Sequence, residues 1–186
     1  DTLKDPGAAE QALRHYCHSK KTDQADTDLL SCLETFGCFD LVADILESSM
    51  RRELAAGDGR LLHFVETTLK QLSDAPRAMQ MCELCIEKFP LSDIPWTLAC
   101  DVAKFSSDHA HVRDLYGQWC EERDGSSRSG VLRQHAEFES EQGQWDVAKE
   151  LLEEALVYTT DAHSIQLLLL DVYEKSARWL ESVDLL

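Results

Sequence analysis

GQWDVAKELLEEAL, running from Gly143 to Leu156, returns up and down the chain at intervals of 34 to 36 residues. Gly37 to Leu46, GCFDLVADIL, repeats it almost position for position, with Gly37 for Gly143, Phe39 for Trp145, Asp40 for Asp146, and Ile45 and Leu46 for Leu151 and Leu152. Ala78 to Ile86, Val112 to Cys120 and Trp179 to Leu186 are weaker copies. Aligning Val42, Ala78, Val112, Ala148 and Ser182 gives steps of 36, 34, 36 and 34. A period in this range belongs to arrays of two-helix repeats. The expected fold is therefore all-α, an α-solenoid of about five helix-turn-helix units. Ala136 and Ala148 let the two helices of a hairpin approach closely, while Trp145, Leu151 and Leu152 fill the space against the next repeat, and Ala78, Ala148, Leu151 and Leu152 are expected to be buried.

The chain of 186 residues is 44% apolar and 28% charged, a globular balance, and its four Pro and eight Gly fall mostly between the periodic segments. It holds no run of 18 apolar residues and opens on the charged DTLKDPG, which argues against a membrane span and a signal peptide. Starting at Asp1 without an initiator Met and stopping inside an apolar helical pattern, it reads as a segment of a larger protein. The net charge of −17 would repel phosphate backbones unless a local basic patch intervened, and none is evident. The densest cations, Lys20-Lys21 and Arg51-Arg52, each sit beside acids. Seven Cys, an odd number without a secretory signal, point to reduced thiols in an intracellular protein.

Punctuation divides the chain. Residues 1–21 form an N-terminal helix or cap, and residues 22–186 form the array. Hairpins are expected at about 26–50, 60–89, 93–122, 129–158 and 162–186, the last incomplete. Gly37, Ser107-Asp108 and Gln142-Gly143 turn the chain within hairpins, and Pro76 stands in the first turn of its helix, where a missing N–H costs nothing. Asp124 to Ser129 is the most linker-like stretch and suits a connection between repeats.

Val131 to Leu156 resembles the half-a-TPR (HAT) repeat, a subtype of the tetratricopeptide (TPR) superfamily. The HAT pattern of large aromatic, second aromatic, small residue and Glu falls on Leu132, His135, Ala136 and Glu139, and its small-plus-basic pair on Ala148-Lys149. Trp96, Cys100 and Arg113 match in the preceding repeat, with Ala103 standing where Glu is expected. Ala78, Cys85 and Pro90 look more like an ordinary TPR, and Tyr173 also sits where TPRs prefer Tyr. A buried Glu139 would need a cation, for which Arg113 and Lys149 are the candidates; a solvent-facing Glu139 would need none.

Catalytic and metal signatures are weak. Cys82 and Cys85 form a lone CxxC on an apolar helix face and read as core thiols. His15, Cys17 and His18 point different ways on a helix. No Gly-rich phosphate loop, HExxH or GxSxG is present. The reading is a non-enzyme with no cofactor and no metal.

By the TPR resemblance, the first helix of each hairpin lines a groove. That groove would display Arg60, His63, Thr67 and Lys70, then Thr97, Asp101 and Lys104, then Arg133, Glu137 and Glu141. Its basic members suit an acidic or carboxylate-ended peptide. A second surface is the open end of the array, where Leu168, Trp179, Leu180, Val183 and Leu186 would seek a homodimer partner or a further repeat of the full-length chain. The implied function is a protein-interaction scaffold. The HAT resemblance tilts it towards RNA-processing assemblies and a nuclear or nucleolar location rather than a cytoplasmic one. The alternative is a TPR peptide-receptor adaptor in chaperone or trafficking pathways.

Overall fold

The computed structural model describes residues 11, 12, 15, 16, 27–54, 59–159 and 161–176. Most of the N-terminal cap, and Trp179, Leu180, Val183 and Leu186 of the expected association end, lie outside the described residues. The helices are α1 (Thr27–Thr35), α2 (Phe39–Arg52), α3 (Gly59–Glu66), α4 (Ala75–Lys88), α5 (Asp93–Phe105), α6 (His109–Glu121), α7 (Gly125–Glu141), α8 (Trp145–Tyr158) and α9 (Ala162–Lys175). No strand occurs among the described residues, and the fold class is all-α. The helices fall into two compact units, residues 1–109 and 110–186.

Four residues with positive φ set the repeat. They are Gly37 (71°), Ser73 (54°), Ser107 (56°) and Gly143 (73°), and each precedes by five the aligned residues Val42, Ala78, Val112 and Ala148. Helices commonly end on such a left-handed residue, which lets the next amides turn back on the last carbonyls. Gly37 N–H donates to Glu34 O at 3.0 Å and Cys38 N–H to Leu33 O at 2.9 Å. The same pair recurs from Ser107 to Lys104 (2.9 Å) and Asp108 to Ala103 (3.0 Å), and from Gly143 to Ser140 (3.1 Å) and Gln144 to Glu139 (2.8 Å). The residue five places on is then fully buried: Val42, Ala78, Val112 and Ala148 are each 0% exposed.

The second repeat differs by one residue. Asp74 N–H reaches Thr68 O at 2.8 Å, one position further back than in the other three turns, and Leu72 N–H bonds Thr67 O at 3.2 Å. The extra residue is absorbed by a π-helical turn over Thr67–Gln71 that continues α3. It carries Thr67, Thr68 and Leu69, three consecutive residues, to the inside. Thr68 satisfies its hydroxyl there by donating to Phe64 O (2.8 Å) and Val65 O (3.1 Å). Thr67, expected in the groove, is therefore 4% exposed.

In the first unit the core runs through Leu33, Val42 and Leu46, then Phe64 and Val65, then Ala78, Met81 and Cys82, then Trp96, Ala99 and Cys100. Asp74 caps α4 by accepting Arg77 N–H at 3.1 Å, with Pro76 in the first turn as read from the sequence. Arg77 then ties α4 to α2, its Nε donating to Glu47 at 2.8 Å and its Nη2 to Asp44 at 2.7 Å.

In the second unit Tyr116 and Trp119 meet Leu132 and Phe138 in a core continued by Ala148, Leu152, Leu169 and Val172. α7 packs along α8, and α8 against α9. Asp124 to Ser129, expected as a connection, instead supplies the N-cap residue and opening turn of α7. Two of its side chains explain the change: Ser129 Oγ donates to Ala155 O at 2.9 Å, and Arg128 bonds Glu154 at 2.9 Å while lying over the Tyr158 ring. Leu151 and Trp145, expected as packing residues, are only half-buried. The buried stripe of α8 is Ala148, Leu152 and Ala155, spaced by four and three, and Leu151 lies one step off it.

The left-handed turns make a prediction. A Cβ built on Gly37 or Gly143 meets nothing within 4 Å, so Ala there suffers backbone strain alone. Gly143→Ala should cost about 1 kcal/mol, whereas Ser73→Gly and Ser107→Gly should each raise stability by roughly 0.5 kcal/mol, since relieved left-handed strain exceeds the added chain entropy. Urea denaturation of the variants reads both signs.

Candidate partner-binding surface

The expected groove residues separate into those that hold the fold together and those that face outward. Arg60 belongs to the first kind: its Nη1 donates to Ser49 Oγ at 2.5 Å and its Nη2 to Glu53 O at 2.6 Å, closing the C-terminal end of α2. His63 Nε2 lies 2.6 Å from Glu34 Oε1, linking α3 to α1. Lys70 pairs with Glu66 one turn earlier at 2.9 Å and stays exposed. These three border a cleft of about 190 Å³ only in part: His63 and Lys70 line it with Glu34, Phe39, Glu66, Thr67 and Gln71, and Arg60 does not. On α5, Thr97 and Asp101 are exposed and Lys104 half-buried.

In the second unit Arg133, Glu137 and Glu141 are all exposed along α7. Glu137 and Glu141 flank a cleft of about 180 Å³ that α9 completes with Leu168, Asp171, Val172 and Lys175. Its floor also takes Ala136 and Leu152. Leu168, placed by the sequence at an association end, thus joins the α7 residues, while Arg133 does not line this cleft. The sequence register found the α7 side; α9 supplied the other wall through residues that looked like a helix with too many Leu for one stripe.

Beneath that surface Glu139 is 1% exposed. Arg113 meets it with two parallel bonds, Nε to Oε1 at 2.6 Å and Nη2 to Oε2 at 2.9 Å, the fork geometry in which guanidinium suits carboxylate best. Of the two cations weighed from sequence, Arg113 is the partner; Lys149 instead lies over the Tyr173 ring and 3.8 Å from Glu153. Burial raises the Glu139 pKa, but the Arg113 bonds and charge, with His135 adding to them, hold it below the ordinary carboxylate value. The same partnership raises the Arg113 pKa. His135 stacks on Tyr116 at 4.9 Å and 13°. Its Nε2 is 3.3 Å from Glu139 Oε1. Burial pushes the imidazole pKa down despite that carboxylate.

Five of the described thiols, Cys38, Cys82, Cys85, Cys100 and Cys120, are core residues. Cys82 and Cys85 are buried, and burial pushes the Cys82 thiol well above its ordinary range and Cys100 to about 12. Among the described residues no group of three or more His, Cys, Asp or Glu stands together as metal ligands.

No family model matches the chain, and no curated protein matches it by sequence. By structure it is similar to the MamA protein, with a TM-score of 0.56 at 13% identity over 89% of this chain and 88% of that one. It is also similar to BtubC from P. vanneervenii, with a TM-score of 0.51 at 13% identity over 100% of this chain and 87% of that one. The likeness is one of fold, an all-α helical repeat.

Arg113→Leu strands a carboxylate in the core and should cost about 3 kcal/mol, the low end for a broken buried pair because Arg113 itself is 44% exposed. Arg113→Leu with Glu139→Leu should recover most of that loss. The depressed Glu139 pKa stabilises the fold above its unfolded value of about 4.3, and that contribution disappears as pH falls towards the folded value. Acid denaturation of Glu139→Gln should lack this component. For the thiols, Cys82, Cys85 and Cys100 should resist a water-soluble disulfide reagent in the native protein and react only on unfolding.

Proposed function

We propose that this chain is a non-enzymatic scaffold segment that docks partner proteins through the first-helix faces of its hairpins. The observation that carries the reading is the division of labour within α7. Leu132, Ala136 and Glu139 are buried, while Arg133, Glu137 and Glu141 stand exposed, the two glutamates beside a cleft that α9 completes. Repeat folds build extended binding surfaces in this way, each repeat contacting its neighbours and presenting its remaining face. Within that role we place the chain in an RNA-processing assembly, as a protein-binding member. The support is the HAT resemblance, whose Glu and basic positions, Glu139 and Arg113, form one ion pair here. The net charge of −17 favours protein over nucleic acid as the direct contact.

The test is affinity capture on the immobilised chain from its source cells, with and without nuclease, followed by mass spectrometry. Partners retained after nuclease, and belonging to RNA-processing complexes, are expected. Partners lost with nuclease would make RNA the bridge and overturn the scaffold reading. Retained chaperone or trafficking proteins would move the chain to the peptide-receptor alternative.

A further inference from the structure

The cleft between α7 and α9 has an apolar floor and a charged rim of one prevailing sign. Ala136, Leu152, Leu168 and Val172 form the floor, and Glu137, Glu141 and Asp171 supply carboxylates around it. The one cation of the lining, Lys175, pairs with Asp171 at 2.7 Å, which leaves Glu137 and Glu141, both exposed, to set the field on the α7 side. A volume of about 180 Å³ is enough for one large aliphatic side chain, since an apolar cavity of about 150 Å³ accepts a benzene ring.

We propose that this cleft receives an aliphatic anchor, Leu or Ile, from a partner-protein segment that carries Lys or Arg on either side of it. The inference rests on the scaffold reading and names its ligand chemistry. Burying the anchor supplies affinity, and the two glutamates select against acidic competitors and speed encounter with basic ones. The partner is opposite in charge to the acidic peptide that the sequence register suggested, because Glu137 and Glu141 face this cleft and Lys175, the one cation of its lining, is paired with Asp171. The charge balance also argues against the chain itself as occupant. A second copy brings −17, and residues 177–186 bring Glu181 and Asp184 against Arg178 alone.

Three fluorescein-labelled twelve-residue peptides test this on the intact chain by anisotropy: one with a central Leu flanked by Lys, one with the same Leu flanked by Glu, and one with the Lys flanks and Ala in place of Leu. The first should bind and the other two should bind at least about tenfold more weakly, with affinity falling from 50 to 300 mM salt as screening shortens. Glu137→Lys with Glu141→Lys should weaken the first peptide roughly tenfold through reversal of two exposed charges. Glu121→Lys with Glu150→Lys, an equal charge change at exposed positions outside the cleft lining, should leave it nearly unchanged. Leu168→Ala should weaken binding of the Leu peptide but not of the Ala peptide. Equal loss in both charge-reversal variants, or equal affinity of the Leu and Ala peptides, would reduce the effect to nonspecific attraction and overturn the proposal. Stronger binding of the Glu-flanked peptide, or a dimer in light scattering that Glu137→Lys with Glu141→Lys dissociates, would also overturn it. Captured partners that bind wild type and Glu137→Lys/Glu141→Lys equally would leave the scaffold reading standing and remove only this inference.

Discussion

The left-handed residue at the end of a first helix is the constraint on which each described hairpin turn depends. A helix leaves its last carbonyls without intrahelical donors, and a residue at positive φ swings the following amides back onto them. Gly37, Ser73, Ser107 and Gly143 do this at steps of 36, 34 and 36 residues. Once the turn is fixed, the residue five places later is fixed in space, and it must be small or β-branched and apolar: Val42, Ala78, Val112, Ala148. The sequence period is therefore the imprint of a backbone conformation as much as of packing.

That origin explains which parts of the fold are legible in the residues. Gly37 and Gly143 announce their turns because Gly adopts positive φ without strain. Ser73 and Ser107 adopt the same conformation at a cost and carry no such signal, so those turns are read from their neighbours, Pro76 in one and Asp108 in the other. The π-helical turn over Thr67–Gln71 is a further step removed: nothing in TTLKQ marks it, and it exists because that repeat must fit one more residue before an unmoved turn. Its consequence is that Thr67 is buried, although it still lines the cleft beside His63 and Lys70. The early start of α7 escaped notice for a related reason, since GSSRS has loop composition and is held helical by Ser129 and Arg128 reaching α8. Tertiary contacts override weak local propensity in such stretches.

Charge was the least legible feature, because sequence counts charges and structure distributes them. With 35 acids against 18 Lys and Arg, cations are scarce, and several are used to join helices. Arg77 binds α4 to α2, Arg113 binds α6 to α7, and Arg128 binds α7 to α8. Each is a guanidinium meeting carboxylates, a task for which its planar fork is better shaped than an ammonium. Lys70 and Lys175, by contrast, pair within their own helices and remain near solvent. Of the basic residues expected in the groove, Arg60 is likewise bonded to the end of α2, whereas Lys70 and Arg133 stay exposed and Lys104 is half-buried.

The buried pair of Glu139 and Arg113 links this electrostatic economy to the surface above it. Glu139 lies two residues from both Glu137 and Glu141 on α7, and an unpaired carboxylate in the core would add to the repulsion among them. Pinned by two bonds to Arg113, it fixes the rotation of α7 about its own axis, because the side chain must point at α6. The helical repeat then obliges Glu137 and Glu141 to point elsewhere, and Ala136, which lies one turn before Ser140, to sit at the base of the cleft. A substitution at residue 139 would accordingly reach the exposed face without touching it: loosening the α6 tie lets α7 rotate, and the two glutamates lose their defined positions over the apolar floor.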